Sequence, residues 1–209
     1  AVAFLVCLFE NNTADSAGGA IMDNNSGSLS LIDCYFVGNT ANVGGGVRVK
    51  GNLGPASFDG CRFVSNTASS AGGAIAFQAS TFDIAYCSFE QNDAPVGSCI
   101  RCSNNDSTSI EDSWFCANLS DEIVGCGSAS CNNNGNECTD VCEDCNNNLV
   151  PDYWDIYVGT SDDVNSNGVP DDCEDCNGNG VPDDIDISDG TSSDCNENDI
   201  PDFCDIADG

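Results

Sequence analysis

The chain has 209 residues, with 35 acidic side chains against four basic ones and no histidine, for a formal net charge of −31. A surface this acidic offers no basic stripe to phosphates or to an anionic bilayer, which excludes nucleic acid and membrane partners and favours divalent cations. Sixteen cysteines point to an oxidising compartment, and no apolar run reaches the roughly 18 residues of a membrane-spanning helix.

The charge is unevenly placed. Residues 1–125 hold 13 acids and all four bases, whereas residues 126–209 hold 22 acids and no base. A boundary near Gly125 follows, and the length suits one or two domains. The apolar opening, residues 1–9, lacks the basic flank of a signal peptide and fits the repeat that follows, so it is read as part of the fold. The sequence opens in mid-repeat without methionine, as a processed or partial chain would.

Residues 1–125 repeat on the phrase Phe-x-x-Asn, at Phe9 and Asn12, Phe36 and Asn39, Phe63 and Asn66, Phe89 and Asn92, and Phe115 and Asn118. The period is 26 or 27 residues. Two residues before each Phe stand Cys7, Cys34, Cys61, Cys87 and then Ser113; three before those stand Phe4, Leu31, Phe58, Ile84 and Ile110. A small-residue patch follows each of the first four Asn residues, as in Gly18, Gly19, Ala20, Ile21 and again in Gly72, Gly73, Ala74, Ile75. A fixed period in this range marks a solenoid, and the local alternation is that of short strands. The expected fold is all-β: a right-handed parallel β-helix of about five coils, with three short strands per coil. Equivalent residues then stack about 4.8 Å apart. Phe falls on Phe inside, the Asn residues form a ladder at a bend, and the Gly pairs permit a tight corner or positive φ.

The Gly-Gly-Ala-Ile and Phe-x-x-Asn phrases resemble the repeats of bacterial polymorphic membrane proteins and related β-helix adhesin passengers, over roughly residues 1–120. The resemblance implies a surface adhesin fold. β-Helices also house polysaccharide lyases and hydrolases, whose chemistry needs a base or paired carboxylates in a cleft. The only bases are Arg48, Lys50, Arg62 and Arg101, read as surface charges or partners of a neighbouring coil. Asp15, Asp23, Asp33, Asp59 and Asp83 fall at different coil positions, and without His no Ser-His-Asp or Cys-His site can be built. A non-catalytic protein is expected.

Cys7, Cys34, Cys61 and Cys87 occupy an inward ladder with parallel Cβ vectors, which favours buried free thiols over disulfides. Cys99 takes a small-residue slot and should also be packed inside. Cys99 and Cys102 form a Cys-x-x-Cys without the surroundings of a thioredoxin-like redox motif. Cys126, Cys131, Cys138, Cys142 and Cys145 crowd a Gly/Asn-rich segment with few apolar residues. Residues 126–143 are expected to be a disulfide-held cap and hinge, disulfides being favoured there over zinc. Residues 130–140 read as a decayed copy of the phrase described next, not as a site.

The last third repeats a twelve-residue phrase at 144–155, 163–174, 175–186 and 194–205. Oxygen-bearing side chains fall at positions 1, 3, 5, 9 and 12 of every copy, the side-chain spacing of a calcium loop, with position 7 left to offer a backbone carbonyl. Position 8 is Pro in all four. Position 6, where calcium loops need Gly for a sharp turn, is Gly168 and Gly180 in the middle loops but Leu149 and Asp199 in the outer ones, so the middle sites carry the stronger claim. The loop starts are 19, 12 and 19 residues apart, which makes two 31-residue units of two loops each. A disordered acidic tail would not hold its acids in register with Asn, Gly and Pro.

Dockerins follow this loop with a Leu-rich helix, for which the spacers here are too short and polar. Cys173 and Cys204 stand just before the last acid of their loops, and the NGxPD wording recurs. In these features residues 143–209 resemble thrombospondin type 3 repeats in their bacterial surface-protein form. The resemblance implies about four Ca2+ sites. Their ligands would be Asp144, Asn146, Asn148, Val150, Asp152 and Asp155 in loop 1, and Asp163, Asn165, Asn167, Val169, Asp171 and Glu174 in loop 2. Loop 3 would use Asp175, Asn177, Asn179, Val181, Asp183 and Asp186, and loop 4 Asp194, Asn196, Asn198, Ile200, Asp202 and Asp205. It also implies disulfides between consecutive loops, Cys145 to Cys173 and Cys176 to Cys204. Cys195 is left over, and a Cys195 to Cys204 pairing stays open.

The expected domains are therefore a parallel β-helix over 1–125, a Cys-rich hinge over 126–143 and calcium-binding repeats over 144–209. The expected function is that of an extracellular, calcium-binding structural protein at a cell surface, an adhesin or fibre-forming subunit. Its partners would be copies of itself end to end, surface glycans or other surface proteins. The alternatives are a fragment of a β-helix polysaccharide lyase or hydrolase, and a glycan-binding module.

Overall fold

The computed structural model describes residues 1–209 except 25–26, 52–53, 79–80, 104–107, 120–121, 127–135, 140–141, 149, 199 and 209. The chain divides into two compact units, Ala1–Val141 and Cys142–Gly209. The expected hinge, 126–143, straddles this division. Much of it, with Cys131 and most of the decayed copy at 130–140, lies outside the described residues.

The first unit is a parallel β-solenoid. Its first face stacks Val2–Leu5, Leu29–Ile32, Ala56–Asp59, Phe82–Ala85 and Thr108–Glu111. The second stacks Leu8–Glu10, Tyr35–Val37, Arg62–Val64, Ser88–Glu90, Trp114–Cys116 and Glu137–Thr139. The third stacks Ile21–Asn24, Val47–Lys50, Ile75–Gln78, Ile100–Ser103 and Ile123–Val124. Two coils carry a further pair, Thr40–Val43 with Thr67–Ala71. The sheets continue past residue 125, because Phe115 lies level with Cys138 in a sixth rung of the second face.

The 26- or 27-residue period becomes register. Phe9, Phe36, Phe63, Phe89 and Phe115 stand directly opposite one another. Their ring centroids are 4.8, 4.7, 5.0 and 4.7 Å apart and their planes agree within 7°. The strand spacing of about 4.8 Å sets that separation. Phe36, Phe63, Phe89 and Phe115 are fully buried, each contributing about 2–3 kcal/mol of apolar burial. A one-residue slip would turn every one of them to solvent.

The corners are held by side chains of the next coil. The Asn39 N–H and Nδ2 both donate to Oδ1 of Asn66, at 3.0 and 2.9 Å, and Asn66 Nδ2 donates to the Phe36 carbonyl at 2.8 Å. The pattern recurs from Asn12 to Asn118. A second ladder runs along the cysteine position: the Cys61 N–H donates to Cys87 Sγ, the Cys87 N–H to Ser113 Oγ, and the Ser113 N–H to Asn136 Oδ1. Asn136 extends that ladder by one coil, a role not read from the sequence.

Each Gly-Gly pair splits its work. Gly44 and Gly72 adopt positive φ, both at 66°, whereas Gly45 lies where an added Cβ would sit 2.2 Å from the Gly73 carbonyl oxygen. The other two corners of each coil also need positive φ, and mostly without glycine: Val6, Asp33, Tyr86 and Asp112 at one, Asn11, Ser65, Gln91 and Ala117 at the other. Such residues cost about 1–2 kcal/mol each and persist because the parallel register above and below them leaves no alternative path.

Cysteine state follows register. Leu8 pairs with Tyr35 and Tyr35 with Arg62, so Cys7, Cys34 and Cys61 stand level with one another, and all are free thiols, as are Cys87 and Cys99. Cys102 is bonded instead. Arg101 faces Val124, so Cys102 is level with Gly125, and its disulfide reaches one residue further, to Cys126, with Cα atoms 4.9 Å apart. The one-residue offset lets the Cβ vectors converge, which level positions do not allow. This pairing was not foreseen from the sequence.

Candidate metal centre

In the second unit the loops lead into short helices. These are α1 (Asp152–Val158), a single 3-10 turn over Asp171–Cys173, α2 (Asp183–Ser188) and α3 (Asp202–Asp208). Pro151, Pro170 and Pro182 stand immediately before the first three, where a missing N–H costs nothing. Position 9 of each loop is thus the first helical residue. Its N–H donates back to the residue before the loop: Asp152 to Glu143, Asp171 to Asp162, Asp183 to Glu174, and Asp202 to Ser193, at 2.7–2.8 Å.

The loop interiors repeat one arrangement. Position 5's N–H donates to the carboxylate of position 1, as Asn167 does to Asp163 Oδ1 and Asn179 to Asp175 Oδ1, both at 3.1 Å. In loops 1, 2 and 4 the same N–H also meets Oδ1 of position 3, so these two oxygens converge. Position 7's N–H meets Oδ1 of position 5 in all four. The Asn amides at positions 3 and 5 both turn to the acid at position 12. Asn177 and Asn179 reach Asp186 Oδ2 at 2.9 and 2.7 Å, and Asn165 and Asn167 reach Glu174 at 3.2 and 2.7 Å. Loops 1 and 4 do the same with Asp155 and Asp205.

Gly168 and Gly180 take positive φ, 88° and 84°, and donate to Oδ2 of position 1, which is why Gly is needed at position 6. Leu149 and Asp199, their counterparts, lie outside the described residues. Position 4 is also left-handed in every loop, at Asn147, Ser166, Gly178 and Glu197.

The predicted ligands at positions 1, 3, 5 and 12 are therefore brought together in each loop. Position 9 is placed differently: its carboxylate accepts the N–H of position 2, from Cys145, Val164, Cys176 and Cys195 to Asp152, Asp171, Asp183 and Asp202. Two residues missed in the sequence complete the picture. Thr160 and Thr191 donate their hydroxyls to Oδ1 of Asp155 and Asp186, five residues earlier. The Gly-Thr-Ser wording shared by both spacers was the available signal.

Electrostatics follow these bonds. The N–H groups of Gly180, Asn179 and Gly178 hold Asp175 below the ordinary carboxylate range, and Asn177, Thr191 and Asn179 do the same for Asp186. Burial raises Asp152 and Asp183, against the N–H bonds from Cys145 and Cys176. The Cys195 side chain lowers Asp202.

The donor set fits calcium. Each loop gathers two carboxylates and two carboxamides, and the loop spacing assigns the position-7 main-chain carbonyl to the same set, all hard oxygen donors. An Asn amide exposes Oδ1 in place of Nδ2 by turning over, so the amides now hydrogen-bonded to position 12 are the groups a cation would recruit. A second kind of cluster does not fit a metal. Cys145, Asp152 and Cys173 lie within 4.8 Å of one another, as do Cys176, Asp183 and Cys204, but the sulfurs are joined as Cys145–Cys173 and Cys176–Cys204 disulfides and have no thiolate to give. These are the pairs the thrombospondin-like pattern implied; Cys195 is a free, exposed thiol.

On the solenoid, the three arginines are engaged structurally, and Lys50 is exposed. Arg62 makes a two-pronged bond to Glu90 of the next coil, both at 2.7 Å, with side chains only 13% and 6% exposed. Arg48 reaches Gln78 at 2.6 Å, and Arg101 donates to the Cys102 and Val124 carbonyls.

Among the described residues, no helix is long and apolar enough to cross a membrane. A model of the Chlamydia polymorphic membrane protein repeat matches residues 6–27, one coil that includes Cys7, Phe9, Asn12 and the first Gly-Gly corner. No curated protein and no solved structure matches the chain. The solenoid is thus similar, over that coil, to a polymorphic membrane protein repeat.

Proposed function

We propose that the chain is a non-catalytic, calcium-binding structural protein of an extracellular surface, an adhesin-like stalk continued by an arm of thrombospondin type 3-like repeats. The observation that carries this reading is the fourfold convergence of positions 1, 3, 5 and 12 in a segment with 22 acids and no base. Asp144, Asp163, Asp175 and Asp194 would hold the ion with the Asn residues at positions 3 and 5 and the acid at position 12. The carbonyls of Val150, Val169, Val181 and Ile200 would complete the set. Bound calcium would supply the cross-linking charge that this nearly coreless unit lacks, so that binding energy becomes folding energy. The acids at position 9 act as braces, closing each loop onto its second residue.

The solenoid supports the structural half of the reading. It presents regular ladders, and Arg48, Arg62 and Arg101 each bond a neighbouring coil. The partners this reading carries are a second copy stacked end to end through unpaired strand edges, surface glycans and other surface proteins. Calcium titration by calorimetry, with a chelator control and parallel electron microscopy, tests the proposal. The expected result is calcium-dependent ordering of residues 142–209 and elongated particles. Heat-silent titration with unchanged spectra would overturn the calcium reading.

A further inference from the structure

One corner of the solenoid carries a file of thiols that the calcium reading does not use. Leu8 pairs with Tyr35, Tyr35 with Arg62 and Arg62 with Ser88, so Cys7, Cys34, Cys61 and Cys87 stand level in successive coils. None is in a disulfide. Cys34, Cys61 and Cys87 are fully buried among the Phe, Leu and Ile side chains of the core, and Cys7 is half-buried. The corner itself does not require sulfur, because Ser113 and Asn136 accept the same main-chain N–H bond in the next two coils.

Level thiols in parallel strands are held about 4.8 Å apart. That is more than twice the roughly 2 Å of a sulfur–sulfur bond, and their Cβ vectors do not converge. A cation midway between two such sulfurs lies about 2.4 Å from each, against about 2.3 Å for a zinc–thiolate bond. The spacing that forbids a disulfide is therefore the spacing of a sulfur–metal–sulfur bridge. The thiol hydrogens point away from the file, to the carbonyl two residues earlier: Cys34 to Ile32 at 3.2 Å and Cys87 to Ala85 at 3.3 Å. Sulfur lone pairs are left facing the neighbouring coils. The Cys61 N–H donates to Cys87 Sγ at 3.3 Å, and the main chains of Cys7 and Cys34 bond the sulfurs of Cys34 and Cys61. Bonds of this kind orient thiolate ligands and stabilise their charge. In apolar surroundings each gap offers two soft donors, which suits a soft ion of low coordination number and not calcium or magnesium.

We propose that Cys7, Cys34, Cys61 and Cys87 bind soft monovalent cations of the copper(I) class, one ion held in line between the sulfurs of each two neighbouring coils. Binding is proton exchange without electron transfer. Each thiol that becomes a ligand gives its proton to solvent as a sulfur–metal bond replaces the sulfur–hydrogen bond. An inner sulfur serves two ions, so four thiols release four protons for three cations. Every further ion brings one further thiolate, and the buried net charge stays at a single negative.

The test uses the full chain with its disulfides intact and with Cys195→Ser, which removes the exposed thiol. Cys99 is level with Ala74 and Glu122 and adds no pair. Silver(I) is the probe, because it shares the charge and linear preference of copper(I) and is inert to redox exchange with thiols. The native chain is equilibrated with silver nitrate in chloride-free buffer and freed of excess by gel filtration. Native mass spectrometry then counts the ions, and X-ray absorption identifies their neighbours. The expected result is three ions per chain, each with two sulfur neighbours. Cys61→Ser splits the file and should leave one ion, whereas Cys87→Ser shortens it and should leave two. Serine suits this slot, as Ser113 shows. Ser113→Cys adds a level thiol next to Cys87 and should raise the count to four. Thiols acting singly would lose one ion in either serine variant. That result, an unchanged count in Ser113→Cys, oxygen neighbours around silver, or no uptake by the folded chain would overturn the proposal. Each of these outcomes leaves the calcium reading untouched.

Discussion

The Thr160 hydroxyl donates to Oδ1 of Asp155 at 2.7 Å, and the Thr160 N–H donates to the carbonyl of the same residue at 2.9 Å. Thr191 and Asp186 repeat both bonds. One oxygen of the twelfth-position carboxylate is thereby anchored from outside the loop, and the other is left facing the Asn amides. Thr191→Val keeps the side-chain shape and removes the donor. Its expected effect is a calcium midpoint for loop 3 raised roughly threefold to tenfold, as the loss of one charge-assisted hydrogen bond implies. Thr191→Ser should restore most of the affinity. The Gly180 amide signal during titration reads both.

The asparagine ladder predicts a large cost for a single truncation. Asn66 is fully buried, accepts two bonds from Asn39 and donates to the Phe36 carbonyl. Asn66→Ala strands the Asn39 amides and the Phe36 carbonyl inside the solenoid. At about 1–3 kcal/mol for each unsatisfied group, the first unit should lose about 3 kcal/mol or more. Urea unfolding followed by circular dichroism at strand wavelengths measures it.

Gly45→Ala should be among the most damaging small substitutions. The new Cβ would meet the Gly73 oxygen at 2.2 Å and the Thr67 oxygen at 2.6 Å, both backbone atoms that cannot move without shifting a whole coil. Gly27 has its nearest neighbour at 3.4 Å, so Gly27→Ala is the tolerated comparison. The expected outcome is loss of cooperative unfolding in Gly45→Ala and a change within about 0.5 kcal/mol in Gly27→Ala.

The thiol ladder sets a chemical and a pH expectation. In the native chain an alkylating reagent should label Cys195 first, while Cys34, Cys61, Cys87 and Cys99 stay unlabelled until unfolding; mass spectrometry of digests assigns the sites. Burial pushes the Cys87 and Cys99 thiols well above their ordinary range. The unfolded thiols ionise first, near pH 8.5 or so, so the stabilisation these groups carry is complete below that pH and is lost as pH rises through the folded-state values. The urea midpoint of the first unit should therefore fall between about pH 8 and pH 10.5. Replacing Cys87 by Ala should flatten part of that fall.

Reduction should uncouple the second unit. Cys145–Cys173 and Cys176–Cys204 each close a separation of 28 residues, and in the chain-entropy account each restricts the unfolded segment by about 3–4 kcal/mol. After reduction and alkylation, the calcium midpoints of all four loops should rise at least tenfold, read by the same amide signals. Unchanged midpoints would show that the loops order without their cross-links.

What the sequence determined by itself was whatever recurs. The Phe-x-x-Asn period and the twelve-residue phrase each state one local solution several times, so the parallel coils, the Phe and Asn ladders and the convergence of positions 1, 3, 5 and 12 in each acidic loop were legible from spacing. The level cysteines were legible as free thiols for the same reason. Features that depend on an offset between coils were not. Cys102 bonds Cys126 because the strands place it one residue out of level, and Asn136 closes the second corner ladder across a gap of 23 residues from Ser113. The left-handed corners at Val6 and Tyr86 carry no glycine to announce them. In the acidic repeat, the spacing identified which oxygens could meet, but tertiary structure decided how each is used. Position 9 turns to its own loop's second N–H, Thr160 and Thr191 brace position 12, and Asp184 reaches back across a junction to Asn165. A repeat records what every copy must satisfy on its own, whereas contacts between copies depend on how the backbone brings them side by side.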